Sequence, residues 1–215
     1  MKSSSMVFVG MTLILAASWV GLAFAPATQL SDVQPYLPNE SALSYPKPPS
    51  GLIAQGRQVF VTNGCVYCHS QQVRPASQGN DLARGLGPRP TVPGDFQYET
   101  SPLLGKVRTG PDLANVGVRR PDPTWHHLHL YNPRIKVQRS VMPPFKYLYE
   151  ERKILGQPSN EALALPEGWT IAPGYEIIPS DDAKALVAYL LSLNRSTPLK
   201  TATEPEPQPG ASATP

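Results

Sequence analysis

After Lys2, the first charged residue of the chain is Asp32. Between them Met6 to Ala25 is apolar almost throughout, and a run of ~20 apolar residues is what an α-helix needs to cross the hydrocarbon core of a bilayer. No other feature limits the fold so strongly, because it divides the chain into a membrane segment and an exported remainder. A cleaved secretory leader is the competing reading, since Ala23-Phe24-Ala25 fits the small-x-small pattern of a cleavage site. The apolar run exceeds the ~7–15 residues of an ordinary leader core, and Pro26 would follow the cut directly, so a retained anchor is expected. Everything after residue 30 is exported on either reading. Lys2, the only flanking charge before the run, favours an amino terminus on the cytoplasmic side.

The exported part cannot be regular throughout, because the 215 residues include 26 prolines. A small core wrapped in long irregular loops is the expectation. The net charge of +3 is too mild to suggest nucleic acid, and no basic stripe interleaved with aromatic residues appears. It helps docking to an acidic partner only weakly. The organisation expected is an anchor over 1–28, a proline-rich extended spacer over 29–49, a domain over 50–196 and a disordered tail over 197–215.

Three helices are expected in the domain. The first runs from an N-cap at Ser50 to a stop at Asn63-Gly64, with Ile53, Gly56 and Phe60 on one face. The second opens at Asp122-Pro123, carries Trp125, Leu128, His129 and Asn132 on one face, and ends at Pro133. The third opens at Ser180 with Asp181 and Asp182 in its first turn, where the helix dipole favours acids, and buries Leu186, Tyr189, Leu190 and Leu193. Residues 75–110 and 134–179 read as loop. The fold class expected is therefore all-α: a transmembrane helix followed by a domain of few helices and long irregular loops.

Both cysteines of the chain lie in GCVYCHSQQVRP, where Cys65 and Cys68 are two residues apart and His69 follows. A disulfide across so short a gap would add little stability, so the pair looks chemical. CxxCH is the attachment signature of haem c: the two thiols add to the haem vinyl groups, and the adjoining His69 lies under the iron as proximal ligand. A thioredoxin-like redox pair fits poorly with an exported chain lacking a βαβ pattern. A structural zinc site wants four ligands, and there is no second cysteine pair. For the other axial position the candidates are Met142, His126, His127 and His129. Met142 is favoured, because it sits in SVMPPF, a proline-stiffened loop suited to holding a thioether still, and Met–His ligation raises the reduction potential.

At these residues the chain resembles class I cytochromes c, in which a helix leads into CxxCH and a C-terminal helix crosses it. Gly56 and Phe60 against Tyr189 and Leu190 would be that crossing. The resemblance implies further roles. Gly110-Pro111-Asp112-Leu113 is similar to a loop whose proline carbonyl, here Pro111, accepts a hydrogen bond from the ligand histidine, here His69. Arg119, nine residues after Gly110, matches a propionate-binding arginine, with Arg120 beside it as the rival. Met142 falls where that family places its axial methionine.

A closer resemblance joins CVYCHSQQVRP, RTGPDLANVG, WHHLHLYNPR and SVMPPF, in that order behind one anchor, to the mono-haem subunit II of cbb3-type cytochrome c oxidases, the C-family haem–copper oxidases. It spans residues 50–150. It implies a non-catalytic subunit that takes an electron from an upstream cytochrome, often a di-haem subunit of the same complex. The electron then passes to a low-spin haem b in the catalytic subunit I. It also implies a bacterial inner membrane location, single-pass, with the haem domain in the periplasm. The other readings are the mono-haem subunit of a nitric oxide reductase and a free-standing membrane-tethered carrier or haem sensor. The chain itself carries no visible nucleophile–base pair, phosphate loop or carboxylate dyad.

Overall fold

The structure, a computed structural model, describes residues 2–31, 33–36 and 44–199. From Lys2 to Ser31 the backbone is continuously helical: α1 (Lys2–Trp19), a π-helical stretch (Val20–Phe24) and α2 (Ala25–Ser31). Pro26 explains the interruption. It has no N–H to donate to the carbonyl four residues back, and its ring would press on that carbonyl. The wider turn just ahead of it relieves both problems, with the Ala25 N–H reaching back to the Val20 carbonyl. Ser4–Ser31 is long and apolar enough to cross a membrane, and none of its residues is buried within the protein. At ~1.5 Å per residue its 28 residues reach about 42 Å, beyond the ~30 Å of a hydrocarbon core. The helix thus runs three residues past the expected end of the anchor at 28.

The chain divides into two compact units. One comprises the described residues of Met1–Pro46 with Val92–Gln97. Here Tyr36 pairs antiparallel with Tyr45, the Tyr45 hydroxyl donates to Asp95 Oδ1 at 2.6 Å, and Gln97 Nε2 donates to the Val33 carbonyl at 2.8 Å. Val33 and Tyr45 of the expected spacer are thereby tied to a short 3-10 turn, Pro93–Phe96, and to Gln97 after it. Residues 32 and 37–43 of that spacer, and 200–215 of the expected tail, lie outside the described residues.

The other unit, Lys47–Thr91 with Tyr98–Pro215, holds the core. Its helices are α3 (Leu52–Thr62), α4 (Val116–Arg119), α5 (Pro123–Tyr131) and, after a hairpin of β1 (Tyr149–Lys153) and β2 (Tyr175–Pro179), α6 (Asp181–Ser192). Ser180 caps α6 by accepting from the Ala183 N–H, and Asp122 caps α5 by accepting from Thr124 and Trp125. The N-cap of α3 is Gly51, at φ 53°, and not Ser50 as expected: that conformation suits glycine and leaves the serine one residue outside the cap.

The most extensive helix packing is α3 on α6. It depends on Gly56, where a Cβ would lie 1.8 Å from the Ala185 carbonyl oxygen and 2.7 Å from Tyr189 Cβ. One turn on, Phe60 meets Tyr189 edge-on, with ring centroids 5.6 Å apart. Gly117 brings α4 onto α6 in the same manner, since a Cβ there would lie 2.1 Å from the Leu191 carbonyl oxygen.

The all-α expectation needs correction. The domain is mostly helical but carries the antiparallel β1–β2 hairpin, with Tyr149 opposite Pro179 and Lys153 opposite Tyr175. Four of the five β1 residues are exposed, so YEERK shows no alternation of apolar and polar residues to betray a strand. Its partner YEIIP buries Glu176, Ile177 and Ile178, an apolar pair too short to separate strand from loop. The hairpin begins seven residues after Met142 and delivers the chain into α6.

Candidate functional site

Where α3 ends, the Asn63 side chain donates to the Val59 carbonyl, and Gly64 turns the chain at φ 69° in the left-handed region. A 3-10 turn, Cys65–Tyr67, follows, and both the Cys68 and His69 N–H groups return to the Cys65 carbonyl. The two thiols and the imidazole thus share one tight coil fixed to the end of a packed helix. Burial pushes the Cys65 thiol up to about 11, so it stays protonated at neutral pH.

A second strand of backbone grips this coil. Gly110 N–H donates to the Cys68 carbonyl at 3.0 Å, and Leu113 N–H donates to the Ser70 carbonyl at 2.7 Å. Between them His69 Nδ1 lies 2.8 Å from the Pro111 carbonyl oxygen. A carbonyl only accepts, so the proton sits on Nδ1 and the Nε2 lone pair is left for another partner. Burial lowers the His69 pKa, while the Pro111 bond and the nearby Asp112 oppose the shift. Gly110 is indispensable at this spacing, since a Cβ there would lie 2.2 Å from His69 Cε1.

Behind the loop stands a buried polar clamp. Asp112, fully buried, accepts from the Ser70 hydroxyl at 2.6 Å, the Gln72 N–H at 2.8 Å and the Ala114 N–H at 2.8 Å. Arg108 donates to the Ser70 hydroxyl, to the Gln72 carbonyl and, in a fork, to both carboxylate oxygens of Asp81 at 2.6 and 2.7 Å. Gln71, also fully buried, accepts from the Tyr189 hydroxyl of α6 at 3.0 Å. The SQQ run after the motif is thereby locked to the 104–113 loop on one side and to α6 on the other.

The coil opens on a cavity of about 540 Å³. Cys65, Cys68, His69, Met142, His126, His129 and Arg119 all line it, with apolar walls from residues such as Phe60, Leu130, Leu186 and Leu190. His127 is not among the lining residues; its Nδ1 lies 3.2 Å from the Tyr149 hydroxyl. His126 Nε2 donates to the Arg120 carbonyl at 2.7 Å and is committed there. His129 stacks on Trp125 at 4.7 Å, and burial pushes its pKa down to about 4. Met142 is half-buried against the hydrophobic core.

The two arginines differ. Arg120 lies 5.5 Å over the Trp125 ring, while Arg119 donates one guanidinium N–H to the Asp112 carbonyl and keeps a buried Nε without a hydrogen-bond partner. Burial lowers the Arg119 pKa, so an anionic group in the cavity would satisfy both the charge and the spare donor. Two thiols, an imidazole and a thioether around an apolar cavity with one unsatisfied arginine donor suit a flat apolar macrocycle bearing carboxylates. Among the described residues, no three His, Cys, Asp or Glu side chains converge to hold a bare metal ion.

Sequence reasoning attached no role of their own to Gly110, Arg108, Asp81 and Ser70. Arg108 and Asp112 are four residues apart in RTGPD, a spacing that signals an ion pair only on a helix, and this segment is loop.

The chain matches the family described as FixO, cytochrome c oxidase, mono-heme subunit, over residues 5–167. The matched span includes the apolar N-terminal helix, the cysteine coil, the 104–113 loop and the Met142 loop. No curated protein matches it.

Proposed function

The chain belongs to the FixO family, the mono-haem electron-transfer subunits of cbb3-type cytochrome c oxidases, and on that premise we propose how its own residues hold the haem and where the electron goes. As a family member it is a haem-containing, membrane-anchored part of an oxidase complex.

One haem c is attached through thioether bonds at Cys65 and Cys68. His69 Nε2 and the Met142 thioether would be the two protein ligands of its iron. Pro111, through its carbonyl, fixes the ring orientation and raises the basicity of His69. Arg119 gives its spare donor to a propionate. When bound, the haem supplies a one-electron iron couple, and the chain supplies ligands, orientation and a dry wall. The single observation that carries this reading is that both thiols, His69 and Met142 line the same cavity. The domain over 50–196 is read as a class I cytochrome c fold, supported by the α3–α6 crossing at Gly56 directly before the cysteine coil.

The electron arrives from an upstream cytochrome, often a di-haem subunit, and leaves for the low-spin haem b of the catalytic haem–copper subunit I. Lys2 ahead of the uncharged span supports a single-pass anchor with its amino terminus in the cytoplasm and the haem domain in the periplasm of a bacterial inner membrane. The test is purification of the complex from solubilised membranes, with intact mass and a pyridine haemochrome spectrum of this chain. One haem with two saturated vinyl groups is expected. A bare polypeptide mass would overturn the reading.

A further inference from the structure

The segment between Asp122 and Glu150 contains no acidic residue but does contain Arg134, Lys136, Arg139 and Lys146. All four are exposed, and none forms an ion pair among the described residues; Lys146 only overhangs the Tyr131 ring. The same segment exposes large apolar side chains: Val141 is 74% exposed, Tyr147 69% and Val137 46%. Part of this segment borders one opening, and Arg134, Lys136 and Lys146 flank that part in the chain. Val137, Arg139, Val141 and Pro143 line the cavity, and the Tyr147 hydroxyl donates to Asn63, another lining residue.

We propose that this Met142 side of the cavity mouth is a docking face for a carboxylate-bearing redox subunit of the oxidase. The proposal rests on the haem assignment above and adds the surface through which that site meets its electron partner. An apolar centre with a charged rim is the ordinary anatomy of a specific interface. A rim of one sign selects a partner of the other sign and speeds encounter. Arg139 at the opening beside Val137 and Val141, with Arg134, Lys136 and Lys146 on the same acid-free segment, calls for carboxylates on the partner. An anionic lipid surface would satisfy the same charges, but it would bring no redox centre to the mouth where the thioether and both thiols lie. Electron exchange therefore favours a protein there.

The test uses the whole complex carrying Arg134→Glu with Lys136→Glu, two positions outside the cavity lining. Lys106→Glu with Lys153→Glu serves as the control, an equal charge change elsewhere on the same unit. Haem content and spectrum are read first. A wild-type chain without haem would sink the assignment above, and this proposal with it. With haem present, the face variant is expected to give normal haem oxidised normally by ferricyanide. Oxygen-driven reoxidation of this haem should be at least tenfold slower, or the chain should be lost from the purified complex. The control should match wild type. Face-variant rates within twofold of wild type, with normal co-purification, would overturn the docking face alone. So would a defect confined to anionic-lipid vesicles and absent from zwitterionic ones, which would assign these cations to lipid headgroups.

Discussion

His69 Nδ1 and the Pro111 carbonyl oxygen stand 2.8 Å apart because residue 110 has no side chain. A methyl group at Gly110 would sit 2.2 Å from His69 Cε1, so either the ring or the loop must move. Overpacking of this kind costs ~1–3 kcal/mol. Gly110→Ala is expected to lower the thermal midpoint and to shift the reduction potential, because the ring's orientation and its carbonyl partner change together. A redox titration indistinguishable from wild type would show that the loop yields without disturbing the ligand.

Met142→Leu keeps volume and hydrophobicity while removing the thioether. The reduction potential is expected to fall, and the ferrous protein is expected to bind carbon monoxide. An unshifted potential would single out His129, since the His126 Nε2 bonds the Arg120 carbonyl and His127 does not line the cavity.

How far the sequence reveals this site depends on whether a signal is local. CxxCH declares itself, because the spacing of two thiols and a histidine is the chemistry. The caps at Asp122 and Ser180 declare themselves through short side chains that bond their own first turns. Apart from the Pro111 bond that the family resemblance implies, the contacts behind His69 do not. Asp81 and Arg108 are 27 residues apart, and Tyr189 and Gln71 are 118 apart, joined only by the folded loops. The β1–β2 hairpin was hidden for another reason. Its strands lie across a 21-residue connection instead of a short turn, and β1 faces solvent with charged residues at four of its five positions.

Gly56→Ala tests the crossing that sets the cysteine coil in place. The added Cβ would lie 1.8 Å from the Ala185 carbonyl oxygen, and backbone in the middle of α6 cannot step aside as a side-chain tip can. A loss at or above the upper end of ~1–3 kcal/mol is expected, measured by denaturant unfolding of the haem-bearing protein. A loss under half of that would mean that α3 and α6 can slide apart without cost.

Asp81→Asn probes the clamp behind the ligand loop, and its effect depends on pH. The Arg108 hydrogen bonds, and then the Arg74 N–H, hold the Asp81 carboxyl below its usual range, against the opposing effect of burial. A carboxyl with a depressed folded pKa contributes stability that is complete above its unfolded value, ~3.9, and is lost as pH falls through the folded value. Breaking a buried pair by removing one partner costs ~3 kcal/mol. The gap in unfolding free energy between wild type and Asp81→Asn is therefore expected to be about that size at pH 7 and to narrow below pH 4, where the unfolded carboxyl takes up its proton first and the folded one follows at lower pH. Arg108 would keep its bonds to the Ser70 hydroxyl and the Gln72 carbonyl in the variant, so the haem should remain attached with its spectrum intact. A gap that stays constant from pH 7 to pH 3 would mean that Asp81 acts through its shape and not through its charge.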